Sequence, residues 1–136
     1  MKGIKSYILT GFIFVSVLGT LLHFAYNSSD NNLIVGLFTP INESIWEHTK
    51  LIFFPMLLYG LFFYKKQKDI YAATVFAALV GVLLIIITFY TYSGIIGYHN
   101  AFVDISIFYI VVLIAFYVTF KTALSPKINN WYTTLP

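Results

Sequence analysis

The chain has 136 residues, of which 60% are hydrophobic and only 10% are charged, and its formal net charge is +3. So few charged residues cannot cover the surface of a soluble domain of this length, which excludes a soluble enzyme or binding module and indicates a polytopic membrane protein. The chain has no cysteine, which excludes disulfides and thiolate metal ligands, and it has no arginine, which argues against a nucleic-acid partner.

Four apolar segments predict an all-α, polytopic membrane helical bundle of four transmembrane helices, in a single domain over residues 1–136. The segments lie at about 6–26, 41–64, 70–92 and 101–120, each close to the ~20 residues that cross a bilayer as a helix. Lysines flank them on one predicted side: Lys2, Lys5, Lys65, Lys66, Lys68, Lys121 and Lys127. Because cytoplasmic loops are rich in lysine, we predict that both termini are cytoplasmic (N-in, C-in).

The first predicted helix carries a polar stripe towards its outer end. Ser16, Thr20, His23 and Asn27 recur at helical spacing, and Gly19 lies beside them. We expect this stripe to face the bundle interior, where the glycine allows a neighbouring helix to approach closely. For the two hydroxyl residues, hydrogen bonds to carbonyl groups of their own helix are an alternative.

The connection to the second helix begins with polar turn residues at 27–32 and continues with an apolar run at 33–38, which we expect to lie at the membrane interface. Thr39 and Pro40 resemble an N-cap followed by proline at the first helical position, which predicts a helix from about residue 41. Pro55 lies inside this helix and predicts a bend near Leu51, because proline cannot donate a hydrogen bond to the carbonyl four residues earlier.

The first turns of the second helix hold the densest group of ionisable residues in the chain. At about 100° per residue, Glu43, Glu47 and Lys50 share one helix face and His48 lies at its flank. Glu47 is a candidate general base, and Glu43 and His48 are further candidate catalytic residues. The alternative is structural, since glutamates are stabilised near a helix N-terminus and Glu47 can pair with Lys50.

The third helix is predicted to be structural, because small side chains give it a face suited to tight packing in lipid. They are Ala73, Ala77, Ala78 and Gly81. The short tail after the fourth helix carries Trp131 and Tyr132, which suit the headgroup layer.

The fourth helix adds candidates at the same depth as the second. His99 ends the second outer loop, Asn100 is a predicted N-cap, and Asp104 lies about one turn further on. All three histidines and four of the five acidic residues therefore fall in one outer layer, which predicts a functional site.

The predicted ligands of a divalent metal, with zinc first among the candidates, are His23, Glu43, His48, His99 and Asp104. No H-E-x-x-H or E-x-x-H pair occurs, so this prediction rests on composition and depth, and each residue alone could instead pair, cap a helix or be solvated.

The runs at 19–26 and 36–51, with an Asn-Glu-Ser-x-Trp-Glu-His motif at 42–48, resemble an uncharacterised family of small bacterial multi-pass membrane proteins. Residues 90–92, Gly97, His99 and Asp104 also resemble that family, so the resemblance covers most of the chain. It implies a protein of the bacterial cytoplasmic (inner) membrane and no particular activity. Members of the family look longer, with a further apolar span, so we expect this chain to be a shortened form.

Three functions fit this layer of residues. The first is a metal-dependent hydrolase acting on a lipid or acylated substrate, in which His23, His48 and a carboxylate hold the metal and Lys50 or His99 orients an anionic group. Two glutamates and a histidine could also activate water without a metal. The second is a small oligomeric transporter or channel subunit, in which the layer binds a cation. The third is an accessory subunit that binds a partner.

Whichever function applies, membrane lipids are the expected partners of the chain, a homo-oligomer is an open alternative, and no nucleic acid is expected.

Overall fold

The computed structural model describes residues 2–63 and 68–125, and every regular element within them is helical. The helices are α1 (Lys2–Ser28), α2 (Leu33–Phe38), α3 (Ile45–His48), α4 (Lys50–Phe63), α5 (Lys68–Ile96) and α6 (Ala101–Ala123). Lys65, Lys66, Lys127, Trp131 and Tyr132 lie outside the described residues, so their roles at the membrane stay predictions. The predicted all-helical fold is confirmed for the part of the chain that is described.

Among the described residues, three helices are long and apolar enough to cross a membrane: Gly3–Ser28, Asp69–Ile96 and Ala101–Ala123. The second predicted span is shorter, because α4 has 14 residues and is therefore about 21 Å long. Only together with Thr49 and α3 does its helical path reach about 28 Å, close to the ~30 Å of a hydrocarbon core. The count of four spans therefore stays a prediction.

The long helices run alternately up and down. Residues early in α1 and α5 meet residues late in α4, since Tyr7 Oη lies 2.8 Å from Thr74 Oγ1 and Tyr59 donates a 2.8 Å hydrogen bond to the Tyr7 carbonyl. At the other end, late α1 meets α3 and the start of α6. We call the first the hydroxyl end of the bundle and the second the histidine end.

Apolar side chains fill the core between the two ends. Val15, Ile52, Met56 and Phe116 are fully buried, with no exposed surface. The predicted small-residue face is confirmed, because Ala73, Ala77 and Ala78 are also buried. Such residues allow helix backbones to approach closely where lipid supplies no hydrophobic force between helices.

The second predicted helix starts at Ile45, four residues later than expected. Thr39 does not cap its N-terminus but closes the C-terminus of α2, where its backbone N–H donates to the Val35 carbonyl over 3.1 Å. Side chains then accept the N–H groups of the following loop: Glu47 accepts from Ile41 (3.2 Å) and Asn42 from Ser44 (2.9 Å). Because these donors already have partners, the loop can remain non-helical.

The helix is interrupted at Thr49, two residues before the predicted bend. Pro55 has no N–H, so the Leu51 carbonyl lacks its usual partner within the helix. That carbonyl faces α1, and a Cβ atom added at Gly19 would lie only 2.7 Å from its oxygen and 2.7 Å from Phe108 Cζ. Glycine at position 19 is therefore what lets α1 lie against α4.

Gly19→Ala should destabilise the bundle by about 1–3 kcal/mol, because the added methyl must displace a backbone carbonyl. Gly94→Ala is the matched control, since nothing lies within 4 Å of a Cβ atom at that α5 position, and alanine should raise helix stability there by up to about 1 kcal/mol. Unfolding in mixed micelles, followed by circular dichroism, measures both. Equal effects of the two substitutions would contradict the close approach of α1 and α4.

Candidate functional site

A cleft of about 430 Å³ opens at the histidine end of the bundle. Its lower walls are apolar and include Leu51, Ile85, Phe89 and Phe108. Its upper part contains all five residues predicted as metal ligands: His23, Glu43, His48, His99 and Asp104. Asp30 is not part of this lining and occupies an exposed turn with φ of 53°.

Three of these residues form one compact group. His23 comes from α1, Glu43 from the loop before α3 and His48 from the last position of α3, and one potential ligand atom of each lies within 4.8 Å of the other two. The two imidazole rings are tilted, with centroids 5.1 Å apart. Glu43 precedes the start of α3, so the prediction that it shares a helix face with Glu47 was wrong.

A backbone carbonyl fixes the orientation of His48. His48 Nδ1 lies 2.8 Å from the Ser44 carbonyl oxygen, and a carbonyl can only accept, so Nδ1 carries the proton. This leaves Nε2 facing the Glu43 carboxylate, 3.5 Å from Oε2. When His48 is neutral, its Nε2 and the Glu43 carboxylate oxygen are both hydrogen-bond acceptors. Their lone pairs repel each other unless a cation, or a second proton on the ring, lies between them.

The group has the chemistry of a zinc or similar divalent site. Tetrahedral coordination with bonds of about 2.0–2.1 Å places ligand atoms roughly 3.3 Å apart, close to the 3.5 Å between His48 and Glu43. The Glu43 side chain is 87% exposed, so its carboxylate has room to move closer to the two imidazoles. Three protein ligands leave one position open for water or substrate, as in catalytic zinc sites.

The other two predicted ligands form a separate group in the same cleft. The Asp104 carboxylate accepts a hydrogen bond from Tyr92 Oη and lies 3.1 Å from His99 Nδ1. The Asn100 N–H donates to Tyr92 Oη over 3.2 Å. The predicted N-cap is confirmed, since the Asn100 side chain accepts from the Phe102 N–H over 2.8 Å.

Glu47 lies outside the cleft lining and forms an ion pair with Lys50, 2.6 Å from Nζ. The ammonium group also donates to the carbonyls of Gly36 (2.9 Å) and Thr39 (3.4 Å). All three donors of Lys50 are therefore used, and the side chain ties the C-terminal end of α2 to the start of α4. We call this pair and its backbone partners the Lys50 clamp. With its carboxylate held in the clamp, Glu47 is poorly placed to act as the predicted general base.

The clamp also changes the acidity of Glu47. The hydrogen bond from Lys50, together with that from the Ile41 N–H, holds the pKa of the Glu47 carboxyl below its usual value of 4.5. The carboxylate is therefore charged throughout the physiological range, and the clamp holds the loop that carries Glu43.

Sequence reasoning missed two parts of the site. The Ser44 carbonyl that orients His48 could not be found from residue types, because it belongs to the backbone. Tyr92 was not among the predicted site residues, although its hydroxyl lies near the end of α5, at the depth of His99. That shared depth was the available signal.

The sequence model of DUF6512, described as a family of unknown function, matches residues 1–134. No curated protein and no solved structure shows significant similarity to the chain.

Glu47→Gln should lower the free energy of unfolding at neutral pH by roughly 1–3 kcal/mol, the usual range for hydrogen bonds to charged groups. Because the pKa of Glu47 is lower in the folded state, its contribution is complete above pH 4.5 and is lost as the pH falls through the lowered value. Wild type and variant should therefore converge in acid, whereas the exposed Asp30→Asn control should match wild type at every pH. Denaturant titrations from pH 7 to pH 3 measure this, and a constant gap over the whole range would exclude the clamp as its source.

Proposed function

The chain belongs to DUF6512, a family of unknown function, and we propose that it is a membrane-embedded, metal-dependent hydrolase of a lipid or acylated substrate. The single observation that carries this proposal is the convergence of His23, Glu43 and His48 from separate segments, with one ligand atom of each within 4.8 Å of the others. Two imidazoles and a carboxylate with an open position form a zinc-hydrolase donor set.

The shape of the cleft supports an amphipathic substrate. Its polar end is accessible, since Glu43 and His99 side chains are 87% and 68% exposed. Phe24 and Ile105 form the side of the cleft and are 59% and 57% exposed. Both residues lie on helices that are apolar enough to cross a membrane. A ligand in the cleft would therefore contact water at one end and lipid at the side, as an acyl ester or acyl amide does at the interface.

The membrane orientation is part of the same proposal. The lysine-rich ends favour an orientation with the hydroxyl end of the bundle in the cytoplasm and the histidine end at the outer leaflet. The resemblance to bacterial multi-pass proteins favours the inner membrane of a bacterium. An outer-leaflet lipid or an acylated protein would then reach the cleft without crossing the membrane.

A divalent metal held by His23, Glu43 and His48 would polarise the substrate carbonyl and generate a nucleophile from water at neutral pH. His23 and His48 would be neutral ligands, and the Ser44 carbonyl accepts a hydrogen bond from His48 Nδ1 and so leaves Nε2 available to the ion, as carbonyl groups commonly do for metal-bound histidines. Glu43 supplies the anionic ligand. The Lys50 clamp keeps its loop against α3.

A conduit has less support in the described residues. Below the cleft, Val15, Ile52 and Met56 are fully buried and apolar. An ion pathway usually needs polar partners along its length. The accessory-subunit alternative has no specific observation in its favour.

Zinc-loaded protein, gel-filtered in detergent without chelator, should hold one zinc per chain by elemental mass spectrometry. His48→Ala and His23→Ala should each lose it, because two remaining ligands bind zinc weakly. His99→Gln and Asp30→Asn should retain it, since neither residue belongs to the three-residue group.

Absence of zinc from wild type, or equal retention in His48→Ala, would overturn the proposal. Loss of zinc in His99→Gln as well would instead restore the larger ligand set predicted from the sequence.

A further inference from the structure

We infer that His99 is the general base of the proposed hydrolysis, held in its active tautomer by Asp104 and Tyr92. This assignment rests on the proposed function, because it gives His99 a role only if water attacks a substrate in the same cleft. It differs from the sequence prediction, which placed His99 and Asp104 among the metal ligands.

The hydrogen bonds around Asp104 run in fixed directions. The Asn100 N–H can only donate, so Tyr92 Oη accepts from it and in turn donates its own proton to Asp104 Oδ1. An ionised carboxylate can only accept, so His99 Nδ1, 3.1 Å from Oδ2, must carry the ring proton. The lone pair of neutral His99 therefore lies on Nε2.

His99 Nε2 is free to act. It forms no hydrogen bond with another residue in the described ranges, and 68% of the side chain is exposed, against 28% for Asp104. His99 lines the same cleft as the three-residue metal group, and its ring packs against Phe89 with centroids 5.9 Å apart. It is absent from the group whose ligand atoms lie within 4.8 Å of one another.

The protonated Nδ1 and the free Nε2 of His99 determine where each proton goes during hydrolysis. Nε2 accepts a proton from the attacking water as the oxygen adds to the ester or amide carbonyl carbon. The resulting imidazolium is stabilised by the Asp104 carboxylate, which keeps its charge. Nε2 then returns the proton to the leaving alkoxide or amine as the acyl bond breaks, so that water and substrate give the carboxylic acid and the alcohol or amine. His99 is the catalytic residue of this unit, whereas Asp104 and Tyr92 are positioning residues.

Histidine acylation by diethyl pyrocarbonate reports on this tautomer without a substrate assay. The reagent acylates an unprotonated imidazole nitrogen, and tandem mass spectrometry localises the adduct on each of the three histidines. The full-length protein is treated at one pH, with and without zinc, as wild type, Asp104→Asn, Tyr92→Phe and the surface control Asp30→Asn.

In wild type, His99 should react at the same rate with and without zinc, to within about twofold, while zinc protects His23 and His48, whose nitrogens it occupies. Asp104→Asn should slow His99 by at least about tenfold, because the asparagine amide donates a hydrogen bond to Nδ1 and moves the ring proton to Nε2. Tyr92→Phe should slow it less, and Asp30→Asn should match wild type.

Two results would overturn the inference: protection of His99 by zinc, which would make it a ligand, or an unchanged His99 rate in Asp104→Asn. Failure of zinc to protect His23 and His48 would overturn the proposed metal site instead. The response of His99 to Asp104→Asn would then still decide whether this imidazole is held as a base.

Discussion

The contact between Gly19 and the Leu51 carbonyl sets the distance between α1 and α4, and the site depends on that distance. His23 lies one turn beyond Gly19 in α1, and His48 lies about one turn before Leu51, so the close approach of the backbones brings their rings to 5.1 Å. Pro55 contributes because it leaves the Leu51 carbonyl without its usual donor in α4. A larger residue at position 19 would separate the two helices and, with them, the two imidazoles.

The carboxylates near the histidine end differ mainly in their partners. Glu47 is neutralised by Lys50, and its role is to hold the loop between α2 and α3. Asp104 accepts from Tyr92 and orients His99. Of these three carboxylates, that of Glu43 is the most exposed, and it faces an imidazole nitrogen rather than a fixed donor, so it is the one we assign to a cation. Hydrogen bonding thus distinguishes the Lys50 clamp from the Asp104 pair and from the exposed Glu43 carboxylate, to which we assign the metal-ligand role.

The sequence predicted the location of this site better than its internal arrangement. Depth in the membrane was enough to predict that His23, Glu43, His48, His99 and Asp104 would lie in one outer layer, because ionisable groups in apolar helices are costly unless they meet; in the structure all five line one cleft. Helical periodicity misplaced Glu43, since the loop at 41–44 is held out of the helix by side-chain acceptors that a face argument does not consider. Helical periodicity also gave no sign of the contact between His48 and the Ser44 carbonyl. Residue types alone could not show that the five candidate ligands form two groups, one with His23, Glu43 and His48 and one with His99 and Asp104.

Zinc K-edge X-ray absorption on the zinc-loaded protein tests the central claim most directly, because it reports which ligands the metal contacts. We predict a first shell of four nitrogen and oxygen atoms at about 2.0–2.1 Å, with outer-shell scattering from two imidazoles. Scattering from three imidazoles would place His99 on the metal. A shell of water oxygens without imidazole would show that His23, Glu43 and His48 do not form a metal site.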